Sequence, residues 1–152
     1  MRLFVRVLAL GVFFAGVMVL FQSWAANDKA AGAKDVTLYK NPTCTCCEGY
    51  ADYLRQNGFS VNVIETEDLA AVNEKYGVSE RMAACHTAIV GGYVVEGHVA
   101  IALVDRLLAE KPQIVGIALP EMSPGTPGMG GEKTETLAVY AIAPGAPVFG
   151  TQ

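Results

Sequence analysis

The chain has 152 residues, of which 52% are hydrophobic and 17% are charged, and its formal net charge is −4 at pH 7. This length fits one globular domain with a single core plus a processed end, and the composition is that of a folded rather than a disordered chain. Because the charge is negative and lysine and arginine are nowhere clustered, nucleic acid is excluded as an expected partner.

The first 25 residues have the pattern of a secretory signal peptide. Two arginines precede Val7–Phe21, an apolar run, and small residues follow at Ser23 and Ala25. We therefore predict export to the periplasm with cleavage after Ala25. An uncleaved membrane anchor is the alternative, but a run of about fifteen residues is short for roughly 30 Å of hydrocarbon. Contact with a membrane is expected only through this segment, if it stays uncleaved.

Residues 26–35 are polar and rich in alanine, and they predict a flexible spacer before a single domain at 36–152. Hydrophobic periodicity and turn residues predict alternating strands and helices in this domain. The strands are predicted at Val36–Tyr39, Phe59–Glu65, Thr87–Val90 and Tyr93–Glu96, and the helices from the cysteine turn to Asn57-Gly58, over Thr66–Tyr76 and over Ile101–Glu110. Thr43 is predicted to cap the first helix.

The resulting order, β-α-β-α-β-β-α, is that of a thioredoxin-like α/β fold with a mixed sheet flanked by helices. The first β-α-β unit should be parallel, and Gly91-Gly92 predicts an antiparallel hairpin. Residues 116–131 are rich in glycine and proline, carry Met122 and Met129, and predict a long loop. An extra strand is predicted at Leu137–Ile142.

Three of the four cysteines lie in Cys44-Thr45-Cys46-Cys47, at the predicted turn from the first strand into the first helix. A helix N-terminus favours the thiolate, which is both a nucleophile and a soft metal ligand. In an exported protein, four cysteines default to two disulfides with three connectivities. The crowding of three thiols in one turn nevertheless suits a redox or metal centre better than a structural framework.

Cys85 stands directly before the third predicted strand, where thioredoxin-like proteins normally have a cis-proline that faces the Cys-x-x-Cys pair. We therefore expect Cys85 to meet the other three cysteines, although a buried core cysteine is the alternative. Four thiolates favour Cu(I), Zn²⁺ or an iron–sulfur centre. Adjacent Cys46 and Cys47 disfavour a tetrahedral zinc site, and no familiar iron–sulfur spacing is present. Copper is thus favoured over zinc, as several Cu(I) ions bridged by thiolates, and no organic cofactor is predicted.

Three blocks of the sequence resemble the exported CopG-like copper-resistance proteins, a family long known only as a domain of unknown function. The blocks are Tyr39–Cys47, Cys85–Val99 and Pro120–Met129. The resemblance implies a thioredoxin-like fold and a copper centre built on the four cysteines, Cys44, Cys46, Cys47 and Cys85. It also implies a role in copper tolerance of the bacterial periplasm, with interconversion of Cu(I) and Cu(II) and with other periplasmic copper-handling proteins as partners.

Four further residues are candidate metal ligands: His86, His98, Met122 and Met129. His86 could ligate the metal or hydrogen-bond a ligand, because it adjoins Cys85. His98 could equally be a capping or exposed histidine. A methionine in a loop more often packs than binds metal.

Three functions are compatible with this sequence. The leading hypothesis is an exported copper-binding protein. This hypothesis predicts metal binding and leaves open whether the protein also turns over as a copper oxidoreductase. The alternative is a periplasmic thiol–disulfide oxidoreductase with Cys44 as nucleophile and Cys47 as resolving thiol. The third is a small exported module held by two structural disulfides.

Overall fold

The computed structural model describes residues 34–152 and contains, in that range, seven strands and three helices. The predicted signal peptide and most of the predicted spacer lie outside these residues. The elements in chain order are β1 (Asp35–Lys40), α1 (Thr45–Gln56), β2 (Ser60–Glu65), α2 (Leu69–Lys75), β3 (His86–Val90), β4 (Tyr93–Glu96), α3 (Ile101–Glu110), β5 (Gly116–Ala118), β6 (Ala138–Ile142) and β7 (Val148–Thr151).

The strands form one mixed sheet in the order β2-β1-β3-β4-β5-β6-β7. Strands β1 and β2 are parallel, as expected for the first β-α-β unit, and β3 is antiparallel to both β1 and β4. This arrangement confirms the predicted α/β fold class. Beyond β4 the sheet continues through β5, which is parallel to β4, and then through antiparallel β6 and β7.

Two local predictions need correction, and one strand was missed. Thr43 does not cap α1, because its hydroxyl donates to the Asn41 side chain (2.7 Å) and the helix begins one residue later with Cys44 at the N-cap. The predicted loop at 116–131 starts with a strand, since Gly116–Ala118 pair with β4. Strand β7 was not predicted at all.

Apolar side chains pack on both faces of the sheet. The larger cluster joins α1 and α3 to the central strands, and it includes Tyr50, Leu54, Leu107, Leu38 and Ile117. The smaller cluster lies on the opposite face, because Val94 and Ala118 alternate with residues of the first cluster along their strands. Among residues 34–152, no helix has the length and apolar character needed to cross a bilayer.

Candidate metal centre

A tight turn delivers the cysteines from β1 into α1. The Cys44 N–H donates to the Asn41 carbonyl (3.0 Å), and the Asn41 side chain accepts from the Thr43 N–H (3.0 Å). Asparagine stabilises such turns by bonding its own backbone two residues ahead. The turn puts Cys44 at the N-cap and both Cys46 and Cys47 in the first turn of the helix, where free backbone N–H groups favour negative charge.

The structure brings all four sulfur atoms together, within 4.8 Å of one another. Cys44 and Cys47 form a disulfide, whereas Cys46 and Cys85 are free thiols. The Cys46 sulfur lies 3.5 Å from that of Cys44, and the Cys47 sulfur lies 3.3 Å from the Cys85 carbonyl oxygen. One disulfide among four cysteines differs from the two that the structural-module alternative requires. It also means that two of the four expected thiolates become available only after reduction.

Cys85 reaches the other cysteines because β3 lies beside β1, with His86 opposite Lys40. Its sulfur also contacts two histidines, 3.4 Å from His86 Nδ1 and 3.2 Å from His98 Nε2. Cys85, His86 and His98 thus form a second group with the spacing of metal ligands. Cys85 is partly exposed and is therefore not the buried core cysteine that was the alternative prediction.

Both histidines are completely buried, and their surroundings define which nitrogen faces the thiol. His98 Nδ1 lies 2.6 Å from the Pro127 carbonyl, which can only accept, so this nitrogen carries the proton and Nε2 presents its lone pair to Cys85. The His86 ring stacks on Tyr50 with centroids 4.6 Å apart, and its Nε2 has no hydrogen-bond partner. His98 is therefore not the exposed or capping histidine that was the alternative prediction.

Burial keeps this half of the site uncharged. It lowers the pKa of His86 to about 3, with the nearby His98 adding to the effect, and it also lowers the pKa of His98. Burial likewise raises the pKa of the Cys85 thiol to about 12, helped by the neighbouring Cys46. Neutral imidazoles are the form that binds metal, and a metal bound to Cys85 would displace the thiol proton.

The segment after β5 covers the site from the side of α1. Gly128 packs so closely on Gly49 that a Cβ on either glycine would overlap the backbone of the other segment. The contact of this segment with the histidines is the Pro127 carbonyl. Met122 is 56% exposed and Met129 is partly buried, and a role for either in metal binding stays a prediction.

Two buried charged residues near the cysteines were not predicted. Lys40 lies under the cysteine turn, and Glu96 accepts a hydrogen bond from the Ala84 N–H (2.8 Å), one residue before Cys85. The sequence did contain a signal for the burial of Lys40. Side chains alternate between the two faces of a strand, and Lys40 lies on the same buried face of β1 as Val36 and Leu38. Burial raises the pKa of the Glu96 carboxyl to about 7, and its second oxygen has no hydrogen-bond partner.

Comparisons with known proteins place the chain in a family. A family model described as a protein of unknown function, DUF411, matches residues 82–129, which include Cys85, both histidines and Pro127. A search of curated proteins found no match. Two solved structures, copper resistance protein CopG in form 1 and form 2, have TM-scores of 0.72 and 0.71 and are 32% and 33% identical. The alignments cover 78% of this chain and 96% and 97% of those proteins.

The chain belongs to the CopG copper-resistance family. This finding confirms the family that the three sequence blocks resemble, and it accounts for the fold over nearly the full length of the solved relatives. The cysteine cluster is capable of binding a metal, and its soft sulfur donors suit copper. Which residues ligate the metal stays a prediction.

Proposed function

We propose that this CopG-family protein binds copper as Cu(I) at Cys44, Cys46, Cys47 and Cys85 and thereby contributes to copper resistance. The observation that carries the proposal is the convergence of four sulfurs, from the α1 turn and from the start of β3, within 4.8 Å. Thiolates are preferred ligands of Cu(I) and bridge several ions readily, so the site would hold a multinuclear cluster. Reduction of the Cys44–Cys47 disulfide must come before full loading.

The same geometry supports interconversion of Cu(I) and Cu(II). Cys85 belongs both to the four-sulfur group and to the group with His86 and His98. Thiolates favour Cu(I), whereas imidazole nitrogen also suits Cu(II), so the shared cysteine joins two donor sets of different preference. The electrons balance within the chain: two Cu(II) ions become two Cu(I) ions while the Cys44 and Cys47 thiols lose two protons and form their disulfide. Cys46 and Cys85 are then the thiol donors for this Cu(I) until the disulfide is reduced again.

Export is part of the proposal, with residues 1–25 as a signal peptide removed after Ala25 and with the periplasm as the location. A periplasmic location fits the copper-handling role, since copper ions and other periplasmic copper proteins would be the partners. The mass of the mature protein from a periplasmic extract tests it. A chain that begins at Ala26 supports export with cleavage after Ala25, and a chain that keeps Met1 in the membrane fraction contradicts cleavage.

The central experiment is a Cu(I) titration of reduced, copper-free protein without oxygen. Copper per protein and the ultraviolet absorption of thiolate–copper bonds are measured for the wild type, Cys44→Ser and Cys85→Ser. We expect each serine variant to lose much of the copper load, because each removes a sulfur from the shared group. Ala83→Ser is the matched control, since it adds a hydroxyl in the same connection without removing a donor. Full loading of both cysteine variants would refute the shared site.

A second candidate function is thiol–disulfide exchange, and the Cys44–Cys47 disulfide favours it. Cys44 is partly exposed, as a nucleophile would have to be. Against it, Cys46 lies 3.5 Å from Cys44 and would compete for any mixed disulfide. Rapid reduction of insulin disulfides by metal-free protein, without copper uptake after reduction, would favour this candidate over copper binding.

A further inference from the structure

The segment that covers the site contains a tight turn, Thr126-Pro127-Gly128-Met129. The Met129 N–H donates to the Thr126 carbonyl (2.9 Å), which closes a four-residue β-turn. The turn is of type II, because proline occupies its second position and Gly128, at the third, has a φ of +77°. In this turn type the carbonyl of the second residue points away from the side that a type I turn would give it. Here that carbonyl belongs to Pro127, and it lies 2.6 Å from His98 Nδ1.

Contacts on both sides hold the turn in place. Thr126 is 2% exposed, and its hydroxyl donates to the Ser123 carbonyl (2.8 Å). On the other side, Gly128 packs on Gly49 of α1 with no side chain between the two backbones. Glycine weakens the interior of a helix relative to alanine, so the presence of Gly49 in α1 needs a reason. The structure supplies one, since a Cβ at Gly49 would overlap the Gly128 carbonyl.

This backbone contact reaches His98 through a single peptide group. The peptide that joins Pro127 to Gly128 is planar, so the position of Gly128 determines where the Pro127 carbonyl points. His98 donates to this carbonyl through Nδ1, and its Nε2 lies 3.2 Å from the Cys85 sulfur. Metal-binding histidines usually donate their second ring N–H to a carbonyl or carboxylate, which fixes the orientation of the ring.

We propose that Pro127 is a positioning residue of the copper centre, whose carbonyl keeps His98 oriented with Nε2 free to bind the metal beside Cys85. The type II turn directs this carbonyl, and the contact between Gly49 and Gly128 holds it in place. This inference rests on the proposed function, because it concerns a ligand of the same copper. It also joins α1, the helix of the cysteine turn, to a histidine that follows β4.

The test observes the ring nitrogens by NMR in reduced, copper-free protein that carries ¹⁵N-labelled histidine, without oxygen at pH 7. The chain has two histidines, so the spectrum is simple and both rings can be assigned. In the wild type we expect a ring N–H on His98 Nδ1 that exchanges slowly with water, because it is buried and hydrogen-bonded. Addition of Cu(I) should shift the Nε2 signal of His98 and leave the proton on Nδ1.

Gly49→Ala is the perturbation, since alanine suits a helix and the new Cβ would push the peptide of Gly128 away from α1. We expect the Nδ1 proton of His98 to exchange at least several-fold faster, or its signal to be lost. Gly130→Ala is the matched control, because Gly130 lies in the same covering segment with open space around it and should leave the signal unchanged.

A contact that only packs the two segments predicts a different result. Gly49→Ala would then lower the free energy of unfolding and leave the His98 signal unchanged. That result, a wild-type ring proton on Nε2, or an equal effect of Gly130→Ala would overturn the inference. If Gly49→Ala does not fold, the wild-type spectra decide.

The Cu(I) spectra separate this inference from the proposed function. If Cu(I) binds at the cysteines and the Nε2 signal of His98 does not shift, the inference alone fails. If no Cu(I) binds, the proposed function fails and the inference fails with it.

Discussion

The buried carboxyl of Glu96 gives a quantitative prediction of how stability depends on pH. Burial raises its pKa from 4.5 to about 7 in the folded protein. Below pH 4.5 the group is protonated in both the folded and the unfolded chain, and folding carries no penalty. Between pH 4.5 and about pH 7 only the unfolded chain ionises, so the free energy of unfolding falls as the pH rises. It levels off once the pH passes the folded pKa, because Glu96 then ionises in the folded chain as well. The full loss above pH 7 is about 3 kcal/mol.

The perturbation is Glu96→Gln, which keeps an acceptor for the Ala84 N–H and cannot ionise. Urea unfolding of copper-free wild type and variant at intervals from pH 4 to pH 8 measures the free energy of unfolding of each. Relative to the variant, the wild type should lose about 3 kcal/mol across this range. His86 and His98 have lowered pKa values and therefore make both proteins less stable in acid. Their contribution to the free energy of unfolding is the same in both proteins and cancels in the difference.

The control for this experiment is Glu110→Gln, at a carboxylate that is half exposed and paired with Arg106 on α3. Because water screens this surface pair, the wild type should not lose stability relative to Glu110→Gln as the pH rises. If the wild type loses no more than about 1 kcal/mol relative to Glu96→Gln, the reasoning is refuted, because Glu96 would then ionise in the folded chain nearly as easily as in the unfolded one.

Three more outcomes are expected from single substitutions. Gly128→Ala should destabilise the protein by about 2–4 kcal/mol in urea unfolding, because φ is +77° and the new Cβ would overlap the backbone of Tyr50; Gly130→Ala, with open space around it, should cost far less. Tyr50→Phe should cost about 1–2 kcal/mol by the same measurement, since its buried hydroxyl donates to a backbone carbonyl (2.9 Å). Asp68→Ala should cost about 1 kcal/mol, since this side chain caps α2, and an unchanged midpoint would contradict the cap.

Elements with strong local signals were predicted well from the sequence. Strand β4 and helix α3 have the predicted bounds, because Gly91-Gly92 defines the hairpin and apolar residues recur with helical spacing between Ile101 and Glu110. Strands β5 and β7 were missed because they are three and four residues long and include glycines. What makes β5 a strand is its pairing with β4, a contact across the fold that local sequence does not contain.

The candidate metal centre was predicted from where its residues lie in the predicted fold. Because Cys85 precedes the strand beside β1, its meeting with Cys44, Cys46 and Cys47 could be predicted. The Cys44–Cys47 pair is the one that the thiol–disulfide alternative names, but the sequence did not decide between this disulfide and four free thiolates. The contact of His98 with the Pro127 carbonyl could not be predicted either, because every residue type has a backbone carbonyl.

The two halves of the cysteine centre differ in how much folding they require. Cys44 and Cys47 are three residues apart, so their bond closes a very short loop and can form in a chain that has no tertiary structure. The Cys47–Cys85 and His98–Pro127 contacts span 38 and 29 residues and need the sheet and the covering segment in place. A newly made chain that oxidises early therefore folds with only Cys46 and Cys85 as thiols, and the four-thiolate site proposed above would then need a later supply of reductant.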